Sequence, residues 1–225
     1  MEIEGSVTLD RRQRRRLETI EEVLDVAAEL MREQGVAGLS IGEVARRMGI
    51  RPPSLYVYFD SKNALYDALF ERGANLIADA MQAFGEEMDQ TLSLEESLLA
   101  SANAFIKWAV EHPEYTQLLF WRPVPGFSPS ERAYAPAIRL VELSQERFTA
   151  LQRRGLLRDD VPLEDIQRDW TVLTSGIVSQ QLANAPDEPF ESGTFTGAIP
   201  RVVAMFARCY APTQPVRRAR HADKR

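Results

Sequence analysis

The sequence predicts an all-α fold of about nine helices, on three observations. Apolar residues recur at three- and four-residue steps in nearly every segment. Serine and aspartate caps, glycines and prolines stand where helices should start and stop. No stretch alternates as a strand does, and there is no internal repeat.

The first helix carries Leu17, Ile20, Leu24, Ala27 and Met31 on one face, and Gly35 stops it. Ser40 and Glu43 read as a capping box that opens a helix from Ile41 to Met48, closed by Gly49. A third helix is expected from Pro52 to Phe59. Asp60-Ser61 then caps a long fourth one with Leu65, Leu69, Leu76 and Ala80 on a stripe. Ser93 and Glu96 make a second capping box. They open a helix with Leu98, Ala102, Phe105 and either Trp108 or Ala109 inward, ended by His112-Pro113. A short helix from Pro113 to Phe120 leads into the proline-rich stretch Arg122 to Pro129, the most irregular of the chain. A long helix is expected from Ser130 to Arg154, with Pro136 in its first turns or kinking it. Leu163 to Ala183 carries Ile166, Trp170, Leu173 and Ile177. After Ala185-Pro186 a last helix spans Thr194 to Tyr210, with Pro200 as its kink or its start. The tail from Thr213 is polar and basic, and reads as disordered.

Composition narrows the function. The 225 residues are 44% hydrophobic and 27% charged, an ordinary soluble balance. Cys209 is the only cysteine, which excludes an intramolecular disulfide and any multi-cysteine zinc site. His112 and His221 lie far apart, so no metal site and no cofactor is expected. No run approaches the roughly 18 apolar residues of a membrane span. The basic start at Arg11–Arg16 is followed by mixed apolar and acidic residues, without a signal-peptide core. These features predict a chain neither exported nor bound to a membrane. Net charge is -6, which alone argues against a nucleic-acid partner. Between Arg11 and Leu65, however, ten basic residues face eight acidic ones, so the acid excess lies elsewhere.

That basic region holds the informative segment. Ile41, Val44, Ala45 and Met48 give one short helix a buried face, and Gly49 turns the chain. Ile50 plugs the corner, and Leu55 with Phe59 anchors the next helix from beneath. The opposite face of that helix is left pointing outward, which is the physics of a helix-turn-helix. Gly49, Ile50, Ser54, Leu55, Tyr56, Tyr58, Phe59, Ser61, Lys62, Ala64 and Leu65 stand at fixed spacing. In this pattern the segment from Leu17 to Leu69 resembles the TetR family of bacterial transcriptional regulators. The rest resembles the family in being helical and of suitable length.

The resemblance implies a fold: a three-helix DNA-binding domain at 11–65 joined to a helical ligand-binding and dimerisation domain at 66–211. Residues 1–10 and 212–225 are then disordered ends. It also implies a cytoplasmic, homodimeric repressor that leaves a palindromic operator in double-stranded DNA when a small, mostly apolar effector binds. The long helix after Ser61 would act as the lever. Ser54, Tyr56, Tyr58 and Lys62 stand where the family contacts DNA, mostly at phosphates. Arg51 is the candidate for bidentate guanine readout, or else a phosphate contact or solvated turn residue. Pro52 and Pro53 can pack on a thymine methyl, and Arg46 reaches phosphate or solvent. Two departures stand out: Arg51 replaces the family's usual Ser or Thr cap, and Gly42 removes a side chain that reads bases in some members. Arg11–Arg16 is either an arm along DNA or a solvated helix start.

Ile166, Trp170, Leu173, Ile177, Val203, Met205, Phe206 and Tyr210 supply apolar surface for a two-fold dimer, or else fill the chain's own core. Phe105, Trp108, Phe120, Trp121, Phe127, Trp170 and Thr174 are candidates for the effector site, with core packing as the alternative for each. An enzyme is disfavoured. Glu111-His112-Pro113-Glu114 lacks a partner motif for a di-iron site, and no nucleophile elbow, P-loop or dinucleotide fingerprint occurs. A helical carrier or interaction module with a silent helix-turn-helix is the remaining alternative.

Overall fold

The computed structural model describes residues 10–212. The expected disorder of 1–9 and 213–225, including the basic cluster at Arg217–Arg225, lies outside the described residues. Within them are nine α-helices, two short 3-10 turns and no strand. The helices are α1 (Arg11–Gln34), α2 (Ile41–Arg47), α3 (Pro52–Leu55), α4 (Lys62–Glu87), α5 (Leu94–Glu111), α6 (Pro113–Phe120), α7 (Glu131–Arg153), α8 (Leu163–Asn184) and α9 (Ile199–Tyr210). None is long and apolar enough to cross a membrane. The described residues form two compact units, 10–80 with 108–140 and 81–107 with 141–212.

In the first unit, α1 starts six residues before Leu17, so the basic run is helical. Arginine is a good helix former, and the Asp10 carbonyl already accepts from Arg14 N–H at 3.0 Å. Leu17 is 49% exposed, and burial begins only at Val23 and Leu24. The Ser40–Glu43 capping box does not form, because both Glu43 oxygens are taken by the guanidinium of Arg46. α3 is one turn, shorter than expected. Tyr56, Val57 and Tyr58 follow as a tight turn, and both Tyr58 and Phe59 N–H bond to the Leu55 carbonyl at 2.9 Å. Aromatic and β-branched residues favour this tightening over further helix.

Ser61 Oγ caps α4 by accepting from Ala64 N–H at 3.1 Å. The buried face of α4 carries Leu65, Tyr66, Leu69, Phe70, Ala74, Ile77 and Ala78. Leu76, expected on it, is 42% exposed, because packing follows Gly73 and Ile77, and Leu76 lies about 100° round from Ile77. Tyr66 ties the unit together, donating its buried hydroxyl to the Val36 carbonyl at 2.6 Å. α1 meets α6 through Arg32, whose guanidinium holds the buried Glu114 carboxylate at 2.6 and 3.1 Å.

In the second unit, the Ser93–Glu96 box closes as expected. Ser93 N–H donates to Glu96 at 2.9 Å, and Glu96 N–H donates to Ser93 Oγ at 3.3 Å. α9 starts at Ile199 with Pro200 in its first turn, after a 3-10 turn at Thr196–Ala198. Trp170 packs between Phe148 and Phe206, with ring centroids 6.1 and 5.1 Å away. Ile166, Trp170, Ile177, Val203 and Phe206 are all buried in this core. The outward apolar residues of α8 and α9 are instead Val172, 68% exposed, and Met205, 53% exposed.

Candidate nucleic-acid interface

Residues 39 to 66 build a reading head from a small core. Leu39, Val44, Ala45, Leu55 and Leu65 are almost wholly buried, and Phe59 nearly so. Gly49 makes the turn at φ +68°, a left-handed conformation that glycine adopts without steric cost. Ile50 N–H then bonds back to the Ala45 carbonyl at 3.0 Å. Arg51 is extended (φ -82°, ψ 142°) and makes no side-chain cap. Pro52 and Pro53 fill the first helical positions, where missing N–H groups leave fewer orphan donors. Leu55 pins α3 inward, and Arg51, Pro52, Pro53, Ser54 and Tyr56 are exposed together on the other side.

The flanking cations differ in how they are held. Arg16, in the second turn of α1, donates to the Val57 carbonyl at 3.3 Å and lies 5.2 Å from the Tyr58 ring centre. The sequence presented it only as one member of a basic run; the fold sets it against the α3 turn. Lys62 is exposed, with its ammonium 3.4 Å from the Ala37 carbonyl and over the Tyr66 ring. Arg46 is exposed but forked onto Glu43 at 2.6 and 2.8 Å. The hydrogen bonds from Arg46, and then Arg47, push the Glu43 carboxyl down to about 2. Arg47 bonds Glu33 at 2.5 and 3.0 Å, and this raises the pKa of its guanidinium further. Arg51 has no carboxylate partner among the described residues.

The seven effector candidates are divided between the two units. Trp108 is buried against His112, with ring centres 4.9 Å apart. Phe127 lies 5.5 Å from Tyr66, while Phe120 and Trp121 are exposed in the same unit. Phe105, Trp170 and Thr174 belong to the other unit, where Thr174 spends its hydroxyl on the Trp170 carbonyl at 3.0 Å. That unit contains a pocket of about 480 Å³ between the end of α4, the start of α5 and α7, and none of the seven lines it. Among the described residues no group of three or more His, Cys, Asp or Glu could hold a metal.

The comparisons match both halves of the chain. Residues 23–69 match the family described as bacterial regulatory proteins, tetR family, and residues 98–210 match the tetracyclin repressor-like C-terminal domain. The chain is 28% identical over 153 residues to the HTH-type transcriptional regulator Rv1816 of Mycobacterium tuberculosis. That match covers 66% of this chain and 64% of the relative's length. The fold is shared with the TetR family regulator PfmR of Thermus thermophilus (TM-score 0.64, 18% identity, 83% of this chain and 97% of that one). It is also shared with the regulator FadR of Bacillus subtilis, solved with stearoyl-CoA (TM-score 0.66, 13% identity, 83% and 97%). Regulators of this kind bind DNA and small molecules and are not enzymes. With a family match across half of its length and the helix-turn-helix match ahead of it, this chain belongs to the TetR family of bacterial transcriptional regulators.

Proposed function

We propose that the protein is a homodimeric repressor that reads a palindromic operator through α3 and leaves it when a small, mostly apolar effector binds. The observation that carries this reading is the exposed face Arg51-Pro52-Pro53-Ser54-Tyr56 above the buried Leu55 and Phe59. Arg51 supplies the base contact, as a guanidinium donates two parallel bonds to guanine O6 and N7. Tyr56, Tyr58, Ser54 and Lys62 set the register on phosphates, and the α1 arginines add charge beside them. The domain assignment, 11–65 for DNA and 66–211 for effector and dimer contacts, follows the same reading. α4 begins at Lys62, in the reading head, and its last turns line the pocket, so this one helix can couple the two sites. Val172 and Met205, outward on the neighbouring helices α8 and α9, offer apolar surface for the dimer contact.

The test is selection of the full-length protein against a random duplex DNA library, followed by salt titration of the winner. An enriched inverted repeat whose affinity falls steeply with salt is the expected result. A lone half-site would overturn the dimer, and no enrichment from the ligand-free protein would favour a carrier with a silent reading head.

A further inference from the structure

The 480 Å³ pocket of the second unit lies within the range of small-molecule sites. One cation of its lining stands without a carboxylate partner. Arg147, on α7, is half-buried, with its guanidinium 5.0 Å from the Phe84 ring centre and one N–H given to the Met81 carbonyl. No carboxylate pairs with it among the described residues. Burial accordingly draws its pKa down, although a guanidinium stays charged at any physiological pH. Its position is built in, because a Cβ at Gly85 would stand 3.1 Å from Arg147 Nη2.

The other walls set the ligand's remaining features. Met88, Leu143 and Leu151 give it an apolar side. Arg154 adds a second cation, tethered to the Leu92 carbonyl. Two exposed carboxylates, Glu86 and Glu146, also line the pocket, so its formal charge sums to zero and a dianion is disfavoured. A single negative charge finds its counter-charge at the half-buried Arg147. We propose that this pocket takes an amphipathic molecule with one carboxylate, its head on Arg147 and its body along Met88, Leu143 and Leu151. The inference rests on the effector reading above and gives that effector a chemical class.

The test titrates full-length protein calorimetrically with three probes of equal chain length: decanoate, methyl decanoate and decyltrimethylammonium. DNA release is followed in parallel. Decanoate is expected to bind best. Arg147→Met should weaken it about tenfold or more, as for a lost charge-assisted bond, and leave the ester unchanged. Arg147→Lys should retain part of the affinity, which controls for misfolding of the Met variant. The inference is overturned if the ester or the cation binds as well as decanoate, if Arg147→Met changes nothing, or if no probe binds. A neutral compound that releases DNA while decanoate fails to bind leaves the effector reading standing without the carboxylate. Decanoate binding through Arg147 with DNA still held does the reverse.

Discussion

Glu43 stands between Arg46 and Arg47, and its carboxylate changes what either can offer a phosphate. A cation that already has a counter-charge on the protein gains less from DNA than one facing water. Lys62 and Arg51 have no such partner among the described residues. Lys62→Ala is therefore expected to weaken all DNA sequences about equally and reduce the salt slope by about 1, with a smaller change for Arg46→Ala. Arg51→Ala should relax preference at one base pair, at a cost of about 1–3 kcal/mol there. Repeating the library selection checks this, and an unchanged preference would return Arg51 to the phosphates. The two faces of the reading head were legible in the sequence, because Gly49 sets the turn and the spacing of Leu55 and Phe59 sets the buried side. The pairing of Arg47 with Glu33, 14 positions away, was not, since helical periodicity carries no information across a turn.

Two elements with the same start signal behave differently. Ser93 and Glu96 close a capping box and Ser40 and Glu43 do not, because only Glu43 has arginines three and four residues downstream. Box and competitor both stand in the sequence, and the nearer guanidinium decides between them. The contacts of α6 were hidden. Arg32 and Glu114 are 82 residues apart, and Gly73 looks like a flaw in a long helix until Tyr115 is seen beside it. A Cβ at Gly73 would lie 2.5 Å from Tyr115 Cδ1. Gly73→Ala should thus lose about 1–3 kcal/mol by overpacking despite its better helix propensity. In denaturant melts, combining it with Tyr115→Leu should cost less than the sum of the two. For Glu114, burial alone would raise the carboxyl pKa, but the His112 and Arg32 side chains outweigh it and hold the pKa below the usual carboxylate range. Its contribution is then present above the ordinary pKa of about 4.3 and lost as pH falls through the lower folded value. Glu114→Gln should cost about 1–3 kcal/mol at pH 7 and lose less than the wild type between pH 7 and pH 3. Parallel acid limbs in the two melting series would remove Glu114 from that role.

For the molecule as a whole, the helical class and the order of elements were legible because periodicity and punctuation agree along the chain. Which apolar residues face outward was not. Ile166, Trp170 and Phe206 have the same spacing in a core as in an interface, and only packing separates them from Val172 and Met205. Val172→Glu is expected to turn a dimer into monomers in sedimentation, with affinity for a full palindrome falling toward that for a half-site. An unchanged sedimentation coefficient would place the two-fold contact elsewhere. Residues 11–18 bury no side chain, and eight residues of helix are marginal alone in water, so these turns borrow their order from the rest of α1 and from Arg16 at the Val57 carbonyl. Their amides should exchange with deuterium far faster than those of Val23 to Met31 and slow down on the operator, making this overhang a built-in reporter of DNA occupancy.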